Sequence, residues 1–284
     1  MEALTLGPAG TYSHRAAKAV ADEVVFTDSK TAIVEAVASG EYERGVVPVE
    51  NSTEGPVTES LDAFAEFDVA AVRELITPIR HALIAQGPEF DVVASHPQAL
   101  AQCREYLDEN YPSATLESMT STAAGVERAS EDPSVAAIGH PQNAAEPSSA
   151  SSQTESGDAT DSDLRVVAED IQDQSSNATR FLVVAPASER SEAGGKTSFI
   201  VYPNVDYPGL LLELLEPFAD RDVNLTRVES RPSGERLGDY VFHIDVEAGL
   251  YEERTQAALA EIEAIAEEGW VRRLGSYDSE TVLD

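Results

Sequence analysis

Between residues 3 and 139 short apolar runs alternate with longer amphipathic stretches, and each join is a polar loop rich in Gly, Pro, Ser or Thr. Extended runs fall at 3–6, 24–26, 45–49, 69–75, 82–85, 92–95 and 135–139, with another at 180–184. Helical periodicity falls between them at 13–21, 31–39, 57–67, 97–109 and 121–129. Strands interleaved with helices predict an α/β body. Pro97 stands at the first position of its helix, where a missing N–H costs nothing.

The pattern changes after a polar linker at 186–195. A strand at 196–203 leads to an apolar helix at 209–220. The runs 223–231 and 240–246 then pair across a Pro- and Gly-bearing turn, and a helix at 252–268 precedes a last strand at 271–277. That order, βαββαβ, predicts a ferredoxin-like module of about 80 residues. The stretch 147–163 is dominated by Ser, Thr, Asp, Glu and Gly and has almost nothing to bury, so a solvated insertion without function is expected there.

Charge narrows the function classes. The 284 residues carry 19 Lys and Arg against 52 Asp and Glu, a net charge of −33. Such a chain does not bind nucleic acid by counterion release, and an anionic membrane repels it. The acids are dispersed along the chain, which favours a solvated coat suited to concentrated salt over a dedicated cationic site. No apolar stretch approaches a bilayer span, and residues 1–6 lack the basic and apolar regions of a secretory leader, so a cytoplasmic protein is expected. Cys103 is alone, and the histidines at 14, 81, 96, 140 and 243 lack metal-ligand spacing. Dinucleotide, P-loop, HExxH and G-x-S-x-G motifs are missing too, so neither metal nor cofactor is expected. What remains is a cofactor-free enzyme acting on a small anion.

Three strand-to-helix loops hold the candidate chemistry. Gly7-Pro8-Ala9-Gly10-Thr11-Tyr12-Ser13-His14 offers glycines for close backbone approach and hydroxyls near a helix start. Pro48-Val49-Glu50-Asn51-Ser52-Thr53-Glu54-Gly55 sets an acid, an amide and two hydroxyls directly after a strand. Ser95-His96-Pro97-Gln98 adds an imidazole and an amide. In α/β units ligands gather at strand carboxyl ends and anions at helix N-termini. Each loop alone is equally well explained by helix capping. The match between Gly139-His140-Pro141-Gln142 and Ser95-His96-Pro97-Gln98 is taken as coincidence. Arg180, between Thr179 and Phe181 at the start of a buried strand, is placed to grip a carboxylate in a forked pair.

Taken in order, Gly7–Ser13, Val47–Gly55, Ser95–Leu100 and Thr179-Arg180-Phe181 resemble prephenate dehydratase. The tail, with Pro208-Gly209-Leu210-Leu211 and Glu229-Ser230-Arg231-Pro232, is similar to an ACT regulatory domain. The resemblance spans about residues 4–277. It implies a two-lobed catalytic body like a type II periplasmic binding protein over 1–187, followed by the ACT domain over 196–278. The first lobe would hold 1–77 and 164–187, the second 78–163, with the active site between them. The reaction implied is conversion of prephenate to phenylpyruvate, carbon dioxide and water under feedback inhibition by phenylalanine. By the same resemblance Thr179, Arg180, Phe181, Glu50, Asn51, Ser52 and Thr53 are catalytic. Gly10, Thr11, Ser95, His96 and Gln98 bind substrate. Asn204, Asp206, Pro208, Gly209, Leu210, Leu211, Glu229 and Ser230 bind the effector. Glu50, His96 or a water they hold would supply the proton. Leu210, where the family has a smaller alanine, is expected to narrow the effector pocket. Self-association as a dimer or tetramer is implied. Arogenate as substrate, or a non-catalytic ligand sensor, are the competing readings.

Overall fold

The computed structural model describes residues 1–144, 164–174, 176–191 and 193–282. The polar insertion 147–163 lies outside the described residues. The chain divides into two compact units, one of Met1–Gly7, Ala16–Thr77 and Thr179–Asp284, the other of Pro8–Arg15 and Pro78–Ala178.

In the first unit, the strands Glu2–Leu6 and Glu23–Thr27 pair in parallel, and Glu2–Leu6 also pairs in parallel with Gly45–Asn51. Beyond it the sheet continues through Ala178–Pro186 and Val69–Pro78 to Ser279–Thr281. The pairing of Ala178–Pro186 with Gly45–Asn51 is antiparallel. The helix Lys30–Ala38 starts where the Ser29 side chain accepts the Ala32 N–H, and it buries Ile33, Val34 and Val37 against the sheet. Gly45 permits that approach: a Cβ there would lie 2.7 Å from Ile33 and 3.0 Å from Val184.

The C-terminal module belongs to this unit. Its antiparallel sheet runs Leu225–Pro232, Tyr240–Val246, Lys196–Tyr202, Trp270–Tyr277, the order expected of βαββαβ. The central strand alternates its burial. Phe199 and Val201 join a core with Leu214, Phe218, Leu259 and Ile262 of the module's own helices. Ile200 and Tyr202 face the other way, into one apolar cluster with Leu61, Phe64 and Leu182. The module therefore shares a core with the sheet that carries Thr179.

The second unit has a five-stranded sheet in the order Arg165–Ala168, Ala82–Ala85, Val135–Gly139, Val92–Ser95, Thr115–Ser118. Arg165–Ala168 pairs antiparallel with Ala82–Ala85, so the segment expected to rejoin the first lobe at 164 begins in this unit, and the return comes at Thr179. The single helix expected at 97–109 is two, Pro97–Gln102 and Arg104–Asn110. The break has a cause: the Gln102 carbonyl accepts the Asp173 N–H at 2.7 Å, and the Asp173 carboxylate receives the Glu105 N–H at 3.4 Å. A segment inserted into the helical ladder interrupts it. No helix among the described residues is long and apolar enough to cross a membrane.

Gly125, in the helix Thr122–Glu131, shows how tightly this unit is packed, because an added Cβ would meet the Ala94 carbonyl oxygen at 2.7 Å. Alanine is favoured over glycine in a helix by about 1 kcal/mol, whereas overpacking against backbone costs about 1–3 kcal/mol. Gly125→Ala is therefore expected to lower the melting temperature by several degrees. A rise on calorimetric scanning would contradict this packing.

Candidate active site

The antiparallel register sets Thr179 opposite Asn51 and Arg180 opposite Glu50. Asn51 is 8% exposed, and its Oδ1 accepts three hydrogen bonds: the Thr53 N–H at 2.9 Å, the Thr53 hydroxyl at 2.7 Å and the Glu54 N–H at 3.2 Å. That Asx turn is closed by Gly55 at φ +84°, a left-handed conformation suited to glycine. With its oxygen fixed, the amide must present its NH2 to the strand, and Nδ2 donates to Thr179 Oγ1 at 3.2 Å. A hydroxyl that accepts this bond still has its own proton to donate.

Side chains alternate across a strand. Arg180 and Glu50 accordingly turn to the opposite face from Thr179 and Asn51, toward the C-terminal module. Arg180 is filled there: Nε donates to Glu74, Nη1 to Asp245 at 2.6 Å and Nη2 to the Tyr277 hydroxyl at 3.0 Å. In place of the expected substrate grip, the guanidinium is committed inside the protein. Glu74 is fully buried and receives Lys196 Nζ at 2.7 Å as well. Glu50 lies 3.8 Å from Arg180 and 3.9 Å from Arg227, on the face away from Thr179. Arg180, Arg227 and Lys196 thus balance Glu50, Glu74 and Asp245, as charges removed from water require. The cations hold the Glu74 and Asp245 carboxyls below the usual range against the opposing effect of burial. Phe181 is buried just past a bulge that sets it opposite Pro48. Ser52 and Thr53 lie in the exposed turn.

The second unit gathers another set. Gly10 has φ +80°, and its N–H donates to His14 Nδ1 at 2.9 Å while the Thr11 hydroxyl accepts the His14 N–H at 3.3 Å, a reciprocal cap. Asn143 Nδ2 donates to the Gly10 carbonyl at 3.3 Å, and Asn143 Oδ1 accepts from Arg15. A Cβ on Gly10 would come within 3.8 Å of Ala123, in the first turn of the helix that Ser121 caps. Ser95 is buried and donates to the Ile138 carbonyl at 2.7 Å, so its hydroxyl joins two strands. His96 Nδ1 accepts the Gln98 N–H at 3.3 Å. His140 Nδ1 accepts the Gln142 N–H at the same distance, at the end of the neighbouring parallel strand. The His-Pro-Gln match taken as coincidence is thus one turn built twice on adjacent strands. Tyr12 sets its ring edge-on to His140, with centroids 5.9 Å apart. Asn143, Arg15 and Ser121 escaped the sequence reading, though the repeated turn was the signal for Asn143.

In the module, Asp206, Gly209, Leu210, Leu211 and Ser230 line an open hollow of about 350 Å³ with Tyr240 and Phe242. Leu210 is 7% exposed and packs into the module core while forming part of the hollow wall. Asn204 borders an adjoining hollow, and its Nδ2 donates to the Glu268 carbonyl at 2.8 Å. Pro208 is exposed, and Glu229 stands half-buried on the strand that bears Ser230.

Two family models match: prephenate dehydratase over residues 3–189 and the ACT domain over 204–267. The chain belongs to the prephenate dehydratase family. It is 36% identical over 278 residues to a bifunctional chorismate mutase/prephenate dehydratase of Aquifex aeolicus, covering 96% of this chain and 72% of that one. It is 35% identical to a prephenate dehydratase of Lactococcus lactis subsp. lactis, covering 87% of this chain and 86% of the relative. A crystal structure of an Arthrobacter aurescens prephenate dehydratase in complex with L-Phe superposes with a TM-score of 0.84 at 35% identity, covering 98% of this chain and 90% of that one. The fold is that of the family, a periplasmic-binding-protein-like body with an ACT domain.

His243, on the module strand opposite Glu229, is buried, and Nε2 has no hydrogen-bond partner. Burial and the Arg227 guanidinium push its imidazole down to about 3. The unfolded chain binds this proton near the ordinary value of about 6.5, while the folded chain releases it until about pH 3. Stability is then lost as pH falls through that window, by up to about 1.4 kcal/mol per pH unit. The Glu74 and Asp245 carboxyls add the same sign at lower pH. Melting curves at pH 7 and 5 should show the loss, and His243→Gln should flatten it. An unchanged slope in the variant would contradict the assignment.

Proposed function

We propose that the chain converts prephenate to phenylpyruvate and that Thr179, oriented by Asn51, is the group that acts on the departing hydroxyl. The observation that carries this reading is the Asn51 Nδ2 to Thr179 Oγ1 bond at 3.2 Å, in a chain whose first 189 residues include the family match. The ring carbon–carboxylate bond breaks, its electron pair enters the ring as aromaticity forms, and the ring C–O bond breaks on the opposite side. The products are phenylpyruvate, carbon dioxide and, after one proton is taken up, water. Thr179 donates a hydrogen bond to the oxygen as negative charge builds there, and the Asn51 amide supports the threonine oxygen in turn. Such a donor gains strength where charge develops, so it acts on the transition state more than on the bound substrate. The proton that completes water comes from solvent, because an alcohol is too weak an acid to surrender it outright.

Phenylalanine as effector fits the module hollow. Asp206 suits an ammonium, the N–H groups opening the helix Leu210–Ala219 suit a carboxylate, and Leu210, Tyr240 and Phe242 suit a ring. The L-Phe complex of the Arthrobacter aurescens relative supports the choice. The strand Leu225–Pro232 forms one edge of the module sheet, with Val228 exposed, which supports self-association as a dimer or tetramer through this module. The net charge of −33 supports work in concentrated salt, where screening relaxes the self-repulsion of the coat.

Purified protein in concentrated potassium chloride should release phenylpyruvate from prephenate, and phenylalanine should suppress the release. Thr179→Val should lower kcat about a hundredfold or more, with KM changed less than about threefold. Wild-type turnover in that variant would remove Thr179 from the mechanism.

A further inference from the structure

Arg180 leaves the Thr179 strand on the face opposite the reaction, and its charge is met by a carboxylate from the C-terminal module. Asp245, on the strand Tyr240–Val246, is 2% exposed; it receives Arg180 Nη1 at 2.6 Å and the Ser198 hydroxyl at 2.5 Å. The same carboxylate lies 3.6 Å from Arg227 Nη1. Arg227 stands on the strand Leu225–Pro232, two and three residues before Glu229 and Ser230. Its contacts are the loose ones, 3.6 Å to Asp245 and 3.9 Å to Glu50, and Nη2 is buried without a hydrogen-bond partner. Glu50 adjoins Asn51. Two arginines from different segments therefore meet on Asp245, one tightly bonded on the strand of Thr179, the other loosely held on the strand of the effector residues.

We propose that Asp245 is a positioning residue for Thr179: through Arg180 it fixes the strand that carries the threonine, and through Arg227 it makes that fixation depend on the effector strand. The proposal deepens the reading of Thr179 as the reacting group and of phenylalanine as effector, and rests on both. A shift of the Leu225–Pro232 strand moves the loosely held Arg227 guanidinium. Its competition with Arg180 for Asp245 then changes, and the position of the Thr179 hydroxyl against the Asn51 amide changes with it. Buried charges convey such a change well, because few arrangements satisfy all of them.

The test uses the full chain with Asp245→Asn, Asp245→Glu, Arg227→Gln and Thr179→Val, each checked for folding by its melting curve. For every variant kcat, KM, the phenylalanine concentration for half-inhibition, and phenylalanine affinity by calorimetry are measured. Asp245→Asn should lower kcat at least tenfold with KM changed less than threefold, and Asp245→Glu should recover most of it. Arg227→Gln should bind phenylalanine within threefold of wild type while half-inhibition moves at least tenfold. Wild-type kcat in Asp245→Asn would overturn the positioning role, as would a loss that Asp245→Glu does not recover. Should Asp245→Asn fail to fold, Arg227→Gln decides: binding and inhibition moving together would overturn the coupling. Full activity in Thr179→Val would instead overturn the reading of Thr179, a result separable from these because the gap between phenylalanine binding and inhibition does not depend on which residue reacts.

Discussion

The structure depends on one strand pairing, the antiparallel register of Gly45–Asn51 with Ala178–Pro186. Because side chains alternate across a strand, that register divides two neighbouring polar residues between two tasks. Thr179 and Asn51 share one face and a hydrogen bond. Arg180 and Glu50 share the other and enter a buried group of charges reaching into the C-terminal module. A slip by one residue would exchange the faces, placing the guanidinium with Asn51 and the hydroxyl among carboxylates. The apolar residues that follow, Leu182 and Val184, hold the register by packing into the shared core.

Charge plays two parts that differ in kind. The dispersed surface acids are solvated, and ion pairs among them, such as Arg104 with Asp108, contribute about 0–1 kcal/mol each. Glu74 and Asp245 are removed from water and are tolerable only because Arg180, Lys196 and Arg227 surround them. Loss of one partner from such a group costs about 3–5 kcal/mol, because an uncompensated charge stays behind. The network is therefore weak evidence for stability.

Much of this was legible in the sequence. The alternation of apolar runs with amphipathic stretches foretold the α/β body, and the later run of elements foretold the βαββαβ module, because both patterns record which face of each element is buried. Asn51 and Thr179 were visible as polar residues at strand ends. The partners of Arg180 were not, since Glu74 and Asp245 look like any of the 52 acids and lie 106 and 65 residues away in the chain. The direction of Arg180 was missed for the same reason: a lone arginine at a strand mouth suggests a ligand until its carboxylates are known. The break at Cys103 depends on Asp173, a contact that no local pattern records. Asn143 lay inside a repeated turn dismissed as coincidence, although the repetition reflected the same helix start on two adjacent strands.

The most direct test of the account is a double-mutant cycle on kcat with Thr179→Val and Asn51→Ala. If the amide acts through the threonine hydroxyl, Asn51→Ala costs turnover in the wild-type background and almost none once Thr179 is valine, giving a coupling close to the whole effect of Asn51→Ala. Independent, multiplying losses would show that the hydrogen bond between them carries no part of the reaction.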